Sequence, residues 1–139
     1  MKTSRSLVAS LLAFAALLPN AAQSAPFGNT GTYTNVVWSV STTVPQFAGC
    51  SEVRIDATGD LNNSSRLSIY GAQNCLVSND AFPLSGMGIF AADGKFNMNL
   101  FVGSGFVLQC YNWTGLSGSC KYVSLGSGAL LGTAFLTLR

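Results

Sequence analysis

The chain between residues 82 and 112 alternates apolar and polar positions in a pattern that predicts three consecutive antiparallel strands. Two turn signals divide it, Asp93-Gly94 and Gly103-Ser104-Gly105. A two-residue turn at the first and a three-residue loop at the second give one register in which both hairpins share an inner face. The residues predicted on that inner face are Met87, Ile89, Ala91, Phe96, Met98, Leu100, Val102, Phe106, Leu108 and Cys110.

Five further segments show a similar alternation or are rich in β-branched and aromatic residues. They are residues 32–42, 51–59, 66–71, 119–125 and 129–138. In the last of these, the inward positions are predicted to be Leu130, Ala134, Leu136 and Leu138. Eight strands joined mostly by tight turns predict an all-β antiparallel meander that closes into a small barrel. A β-sandwich is the alternative, and a β-solenoid is a third interpretation.

The first 24 residues have the features of a signal peptide of bacterial type. Basic residues precede an apolar run at 7–18, which is too short to span a bilayer as a stable helix. Small residues then lead up to Ser24, after which we predict cleavage. Residues 25–139 are therefore expected to form one exported domain, periplasmic or extracellular, with no integral membrane span after the leader is removed.

Removing the leader changes the charge of the protein. Lys2 and Arg5 leave with it, so five of the seven basic residues remain against five acidic ones, and the net charge falls to about zero. A neutral domain without a basic cluster lacks the electrostatic footprint of a nucleic-acid-binding protein. We therefore expect no nucleic-acid partner.

The chain has four cysteines and no histidine. An even number of cysteines in an exported domain predicts two disulfides, and three connectivities are possible. We favour Cys50–Cys75 and Cys110–Cys120, because the first would join adjacent ends of one hairpin and the second would join directly opposed strand residues. Without histidine or a CxxC motif, neither a metal site nor a redox dithiol is expected. No cofactor is predicted.

Groups suited to catalysis are few. The absence of histidine excludes Ser-His-Asp and Cys-His arrangements. Most aspartates lie in turn-like sequences, where the residue serves the backbone, and Glu52 and Asp56 share a strand face with Arg54. A glycosidase with paired carboxylates is the enzyme class left open. Our expectation is a protein that is not an enzyme, and we assign no catalytic residue.

The outer face of the central meander is predicted to be a binding surface. Aromatic side chains mixed with amides suit a protein, a glycan or an apolar ligand. The residues of this predicted surface are Phe90, Asn97, Asn99, Phe101, Gln109, Tyr111 and Trp113. The alternative is that this face is the second side of a sandwich or is covered by the N-terminal strands. Segments 101–109 and 129–138 are apolar and β-prone, so self-association is expected if a sheet edge stays open.

The layout resembles that of small exported bacterial all-β proteins, notably the alkane-oxidation activator family. The resemblance lies in the Cys50–Cys75 interval followed by Phe82-Pro83-Leu84, and in the late Gly118-Ser119-Cys120. It spans most of the domain and departs from the family in the short Cys110–Cys120 interval. The resemblance implies an exported β-domain without catalytic residues.

A second likeness is to periplasmic lysozyme inhibitors that have a small barrel. Residues 117–122 are similar to the Ser/Gly-rich, Tyr-bearing loop of those proteins. The overall prediction is an exported non-enzymatic β-domain that acts by surface interaction in the cell envelope or extracellular space. The alternatives are a barrel that binds a small ligand inside it and a periplasmic lysozyme inhibitor.

Overall fold

The computed structural model describes residues 31–139, which form an all-β barrel. The predicted signal peptide and the first residues of the predicted domain lie outside this range. The strands are β1 (Thr32–Thr42), β2 (Glu52–Asp60), β3 (Asn63–Cys75), β4 (Asp80–Phe90), β5 (Phe96–Val102), β6 (Phe106–Trp113), β7 (Ser117–Ser124) and β8 (Leu130–Leu138). A short 3-10 helix, Pro45–Phe47, connects β1 to β2. Nowhere in residues 31–139 is there a helix long and apolar enough to cross a membrane.

Each strand pairs antiparallel with its neighbours in the chain, and β1 pairs with β8, so the sheet closes on itself. The predicted barrel is therefore confirmed, and the sandwich and solenoid interpretations are wrong. Each of these eight strands has a partner on both sides, so the open edge required for strand-to-strand self-association is missing from them.

Both predicted disulfides are confirmed. Cys50–Cys75 joins the start of β2 to the end of β3, and Cys110–Cys120 joins opposed residues of β6 and β7. Each bond crosses a neighbouring pair of strands, and each reduces the conformational freedom of the unfolded chain. In a domain of this size such bonds add to the stability that the core provides.

Large side chains fill the interior of the barrel. The largest fully buried ones are Trp38, Tyr122, Phe47, Phe96, Ile55, Leu67, Met98, Leu100, Leu108 and Leu136. The 3-10 helix carries Phe47 into the interior, where its ring packs on Phe82, Phe106 and Tyr122. An interior filled in this way is typical of eight-stranded barrels, which have room for side chains and little else.

The register predicted for the hairpin of β4 and β5 is wrong by one residue. Phe90 pairs with Phe96, so the loop between them has five residues where the prediction had four. Because side chains alternate between faces, the change reverses the orientation of the whole of β4. Met87 and Ile89, both predicted inward, are 38% and 44% exposed.

Two glycines of β4 explain the observed register. Gly86 faces Leu100 and Gly88 faces Met98, so each large interior side chain lies opposite a residue with no side chain. A Cβ atom on Gly88 would collide with the ring of Phe96, and one on Gly86 would collide with the carbonyl oxygen of Asn99. The interior therefore has no room for Met87 and Ile89 in those positions.

The other hairpins agree more closely with the sequence. Met98, Leu100 and Val102 pair with Cys110, Leu108 and Phe106, as predicted. In β8, Ala134 and Leu136 are buried as predicted and Leu138 is partly buried. The inward orientation predicted for Leu130 is wrong, since this residue is 60% exposed. Tyr122 pairs with Gly132 whereas Val123 pairs with Leu130, so Leu131 is an extra residue that shifts the alternation.

The packing around Gly88 gives a direct test of the register. We expect Gly88→Ala to lower the free energy of unfolding by about 1–3 kcal/mol, because the added methyl group meets the Phe96 ring in a filled interior. Urea denaturation of the protein with both disulfides intact measures the change. Gly105→Ala is the matched control, since nothing lies within 4 Å of its added Cβ. Equal stability of the two variants would contradict the inward orientation of Gly88.

Candidate binding surface

Five of the seven predicted surface residues lie together on the outer side of β5 and β6. We call this set the aromatic–amide face; it consists of Asn97, Asn99, Phe101, Gln109 and Tyr111. Asn99 lies directly opposite Gln109, and Phe101 lies opposite Val107. Phe101 and Tyr111 are 47% and 48% exposed. The structure thus places an amide pair between two half-exposed aromatic side chains.

Hydrogen bonds orient two members of this face. The hydroxyl of Tyr111 donates to Oδ1 of Asn99 over 2.9 Å, which ties the exposed ring to the neighbouring strand. The backbone N–H of Asn112 donates to Oδ1 of Asn97 over 2.8 Å. Both contacts join β5 to β6, so they restrict the movement of the side chains that form the face.

Trp113 is not on this surface, contrary to the prediction. It pairs with Phe96 while Cys110 pairs with Met98, so two residues of β6 lie opposite the single residue Asn97. This β-bulge, at which Asn112 has a φ of 54°, shifts the alternation and turns Trp113 into the core. Its ring centroid lies 5.5 Å from that of Trp38.

Phe90 is also misplaced in the predicted surface. It pairs with Phe96 at the end of β4, and the centroids of the two rings are 5.1 Å apart. Its side chain is partly buried and packs against the core. The register error in β4 accounts for this, since reversing the strand turns Phe90 inward together with its glycines.

The same reversal places Met87 and Ile89, which were predicted to be core residues, beside the aromatic–amide face. Met87 lies opposite Asn99, and Ile89 lies opposite Asn97. On the other side, Lys121 of β7 lies opposite Gln109. The spacing of Gly86 and Gly88 was the signal that could have identified Met87 and Ile89 as outward, because a filled barrel needs small residues opposite large ones.

A second polar region lies on the outer side of β1, β2 and β3. A shallow cleft of about 370 Å³ there is lined in part by Asn35, Arg54, Asp56 and Asn74. These groups bond to one another: Arg54 donates to Oδ1 of Asn35 over 2.6 Å, and the backbone N–H of Asn35 donates to Oδ1 of Asp56 over 2.7 Å. Because these polar groups form hydrogen bonds with one another, a structural role in the barrel wall accounts for them.

Glu52 is the centre of that network and is only 5% exposed. Asn74 donates to its Oε1 over 3.0 Å, Arg54 forms an ion pair with the same oxygen at 3.2 Å, and Arg139 pairs with its Oε2 at 2.9 Å. Burial tends to raise the pKa of Glu52. The hydrogen bonds from Asn74 and Arg54 and the charges of Arg54 and Arg139 outweigh it, so the pKa lies below its usual value.

The residues that resemble the lysozyme-inhibitor loop form strand β7, and the tyrosine among them is inside the barrel. Tyr122 is fully buried, its ring stacks on Phe47, and its hydroxyl donates to Oε1 of Gln73 over 2.8 Å. Gln73 in turn donates to the carbonyl oxygen of Cys50. Burial raises the pKa of Tyr122 well above its usual value, so the hydroxyl stays protonated and continues to donate.

No group of three or more histidine, cysteine, aspartate or glutamate side chains that could hold a metal ion occurs in residues 31–139. In the comparisons with known proteins, no family model matches the chain, and no significant match was found among curated proteins or solved structures. The geometry of the barrel therefore carries the functional argument.

The lowered pKa of Glu52 predicts how stability depends on pH. A carboxyl group with a depressed pKa in the folded state stabilises fully above its unfolded value of 4.5. That contribution is lost as the pH falls from there through the folded pKa. We expect Glu52→Gln to lower the free energy of unfolding at pH 7 by about 1–3 kcal/mol. The difference from wild type should shrink toward pH 3 in urea titrations, and a difference independent of pH would contradict the role of the charge.

Proposed function

We propose that this protein is an exported, non-enzymatic barrel that acts by binding a partner through its aromatic–amide face in the cell envelope or extracellular space. The observation that carries the proposal is the pairing of half-exposed rings with bonded amides on adjacent strands of a closed barrel. Aromatic residues on a rigid support bind with little loss of conformational entropy, and they are enriched at protein interfaces.

Export is supported by the features of the first 24 residues and by the two disulfides. Disulfides persist in oxidising compartments and are rare in the cytosol. A non-enzymatic role is supported by the lack of histidine in the chain and by the internal pairing of Glu52, the most buried carboxylate of the described residues.

The two alternative functions have less support. A barrel that binds a small ligand inside it needs a hollow interior, whereas Met98 and Leu100 are fully buried in the interior of this one and Phe106 packs against its core. An inhibitor that uses residues 117–122 as an exposed loop needs its tyrosine at the surface, whereas Tyr122 lies inside. Neither alternative has an observation that favours it over the outer face.

The position of leader cleavage tests the exported state. When the full chain is produced in a bacterial host, we expect the protein recovered from periplasm or medium to begin at Ala25, because small residues lead up to Ser24. Intact-mass spectrometry identifies the first residue and should also show both disulfides formed. Recovery of the chain only in the cytoplasm, with its leader attached, would contradict export.

Capture on cell envelopes tests the face itself. We expect the exported protein to bind to envelopes of the bacterium that produces it naturally, or to components of its culture medium. The double variant F101S/Y111S should reduce the bound fraction at least about tenfold, since truncating central aromatic residues removes most of the binding energy of a surface.

The matched control is Y70S/F135S, because Tyr70 and Phe135 are 55% and 49% exposed on other strands of the same barrel. This control should bind like wild type. Equal losses in the two double variants would indicate general stickiness of exposed rings and would contradict a specific face. Undiminished binding by F101S/Y111S would show that another surface acts.

A further inference from the structure

We infer that the partner of the aromatic–amide face is an uncharged polysaccharide whose chain lies along β5 and β6. The inference rests on the proposed function and specifies the ligand of the same surface. It depends on three properties of the face: its exposed rings, its amide groups with unused hydrogen-bonding capacity, and its lack of charge.

The two rings can stack against sugar rings. A pyranose presents faces of C–H groups, and these are attracted to the electron-rich face of an aromatic side chain. Phe101 and Tyr111 each leave about half of their surface to solvent. The bond from the Tyr111 hydroxyl to Asn99 limits the movement of that ring before any ligand arrives. The face is therefore partly organised for stacking in the free protein.

The amides between the rings supply what sugar hydroxyls require. A side-chain amide has two donors and an acceptor, and it can therefore bond to hydroxyl groups in either direction. Among the described residues, Gln109 makes no side-chain hydrogen bond, and Asn99 uses only its oxygen, to accept from Tyr111. A purely apolar partner would strip water from these amides without replacing their bonds, which costs free energy.

The lack of charge on β5 and β6 argues against an anionic partner. Neither β5 nor β6 contains a charged residue. On β4 and β7, the strands beside them, the charged residues are Asp80 at the start of β4 and Lys121, which faces Gln109. An anionic polysaccharide or nucleic acid would require several cations along its path. A neutral chain rich in hydroxyl groups matches the face as it stands.

The dimensions fit a chain of several sugar units. Alternate residues of a strand are about 6.8 Å apart, so Asn97, Asn99 and Phe101 cover about 14 Å along β5. On β6, which runs antiparallel to β5, Gln109 lies beside Asn99, and Tyr111 extends the face toward Asn97. The face lies on the outer wall of the barrel, where an extended polymer can make contacts along its length, whereas a single small sugar would be bound from one side only.

Binding to polysaccharides tests the inference on the protein as exported by a bacterial host. The uncharged probes are cellulose, chitin, β-1,3-glucan and dextran, the anionic probe is alginate, and butyl-agarose serves as the apolar probe. We expect binding to at least one uncharged polymer that persists in 0.5 M NaCl, because the face has no ion pairs to screen. Phe101→Ala should weaken it at least about tenfold and Gln109→Ala about threefold.

The controls separate stacking from general adhesion. Tyr70→Ala and Phe135→Ala remove equally exposed rings outside the face and should bind like wild type. Tyr111→Phe keeps the ring and loses only the bond to Asn99, so it should bind more weakly than wild type and more tightly than Tyr111→Ala. Circular dichroism and melting temperature confirm that each variant is folded.

Three results would overturn the inference: no binding to any uncharged polymer, binding confined to alginate and lost in salt, or binding confined to butyl-agarose. The capture experiment on envelopes distinguishes this failure from failure of the proposed function. If F101S/Y111S still abolishes capture while no uncharged polymer binds, the face is functional and its ligand is not a neutral glycan. If neither experiment responds to Phe101, the proposed function is wrong as well.

Discussion

An eight-stranded barrel encloses little space, so a large side chain on one strand requires a small residue opposite it on the next. Here Leu100 and Met98 occupy the interior, and Gly86 and Gly88 lie opposite them. These two glycines determine which way β4 faces. The two disulfides, which join neighbouring strands elsewhere in the barrel, and the pairing of β1 with β8 stabilise the rest of the closed sheet.

The filled interior also determines what the outer wall presents. Side chains that the core has no room for become surface, and along β5 and β6 this leaves amides and rings without a single charge. Glu52 of β2 is instead buried and forms ion pairs with Arg54 and Arg139. One part of the wall is thus satisfied internally, while the aromatic–amide face keeps unused hydrogen-bonding groups and exposed apolar area available for a partner.

Much of the fold follows from local sequence signals, since alternation and turn residues fix strands and the disulfide pairing follows from which strand ends are adjacent. The errors have a different cause. Met87 and Ile89 alternate well enough to be core residues, and only the volume available beside Phe96 decides against them. Trp113 is turned inward by a bulge at Asn112, whose effect depends on the strand it pairs with. In both cases the orientation is set by packing against other strands of the closed barrel, and the pattern within one segment carries no information about that packing.

The orientation of β4 can be measured directly, because the chain has three methionines and only Met87 and Met98 lie in the predicted domain. Their methyl signals can be recorded by NMR with a gadolinium chelate in solution, which broadens the signals of exposed groups. We expect strong broadening of Met87, which is 38% exposed, and protection of the fully buried Met98. Equal protection of both methyl groups would place Met87 in the core and would contradict the packing described here.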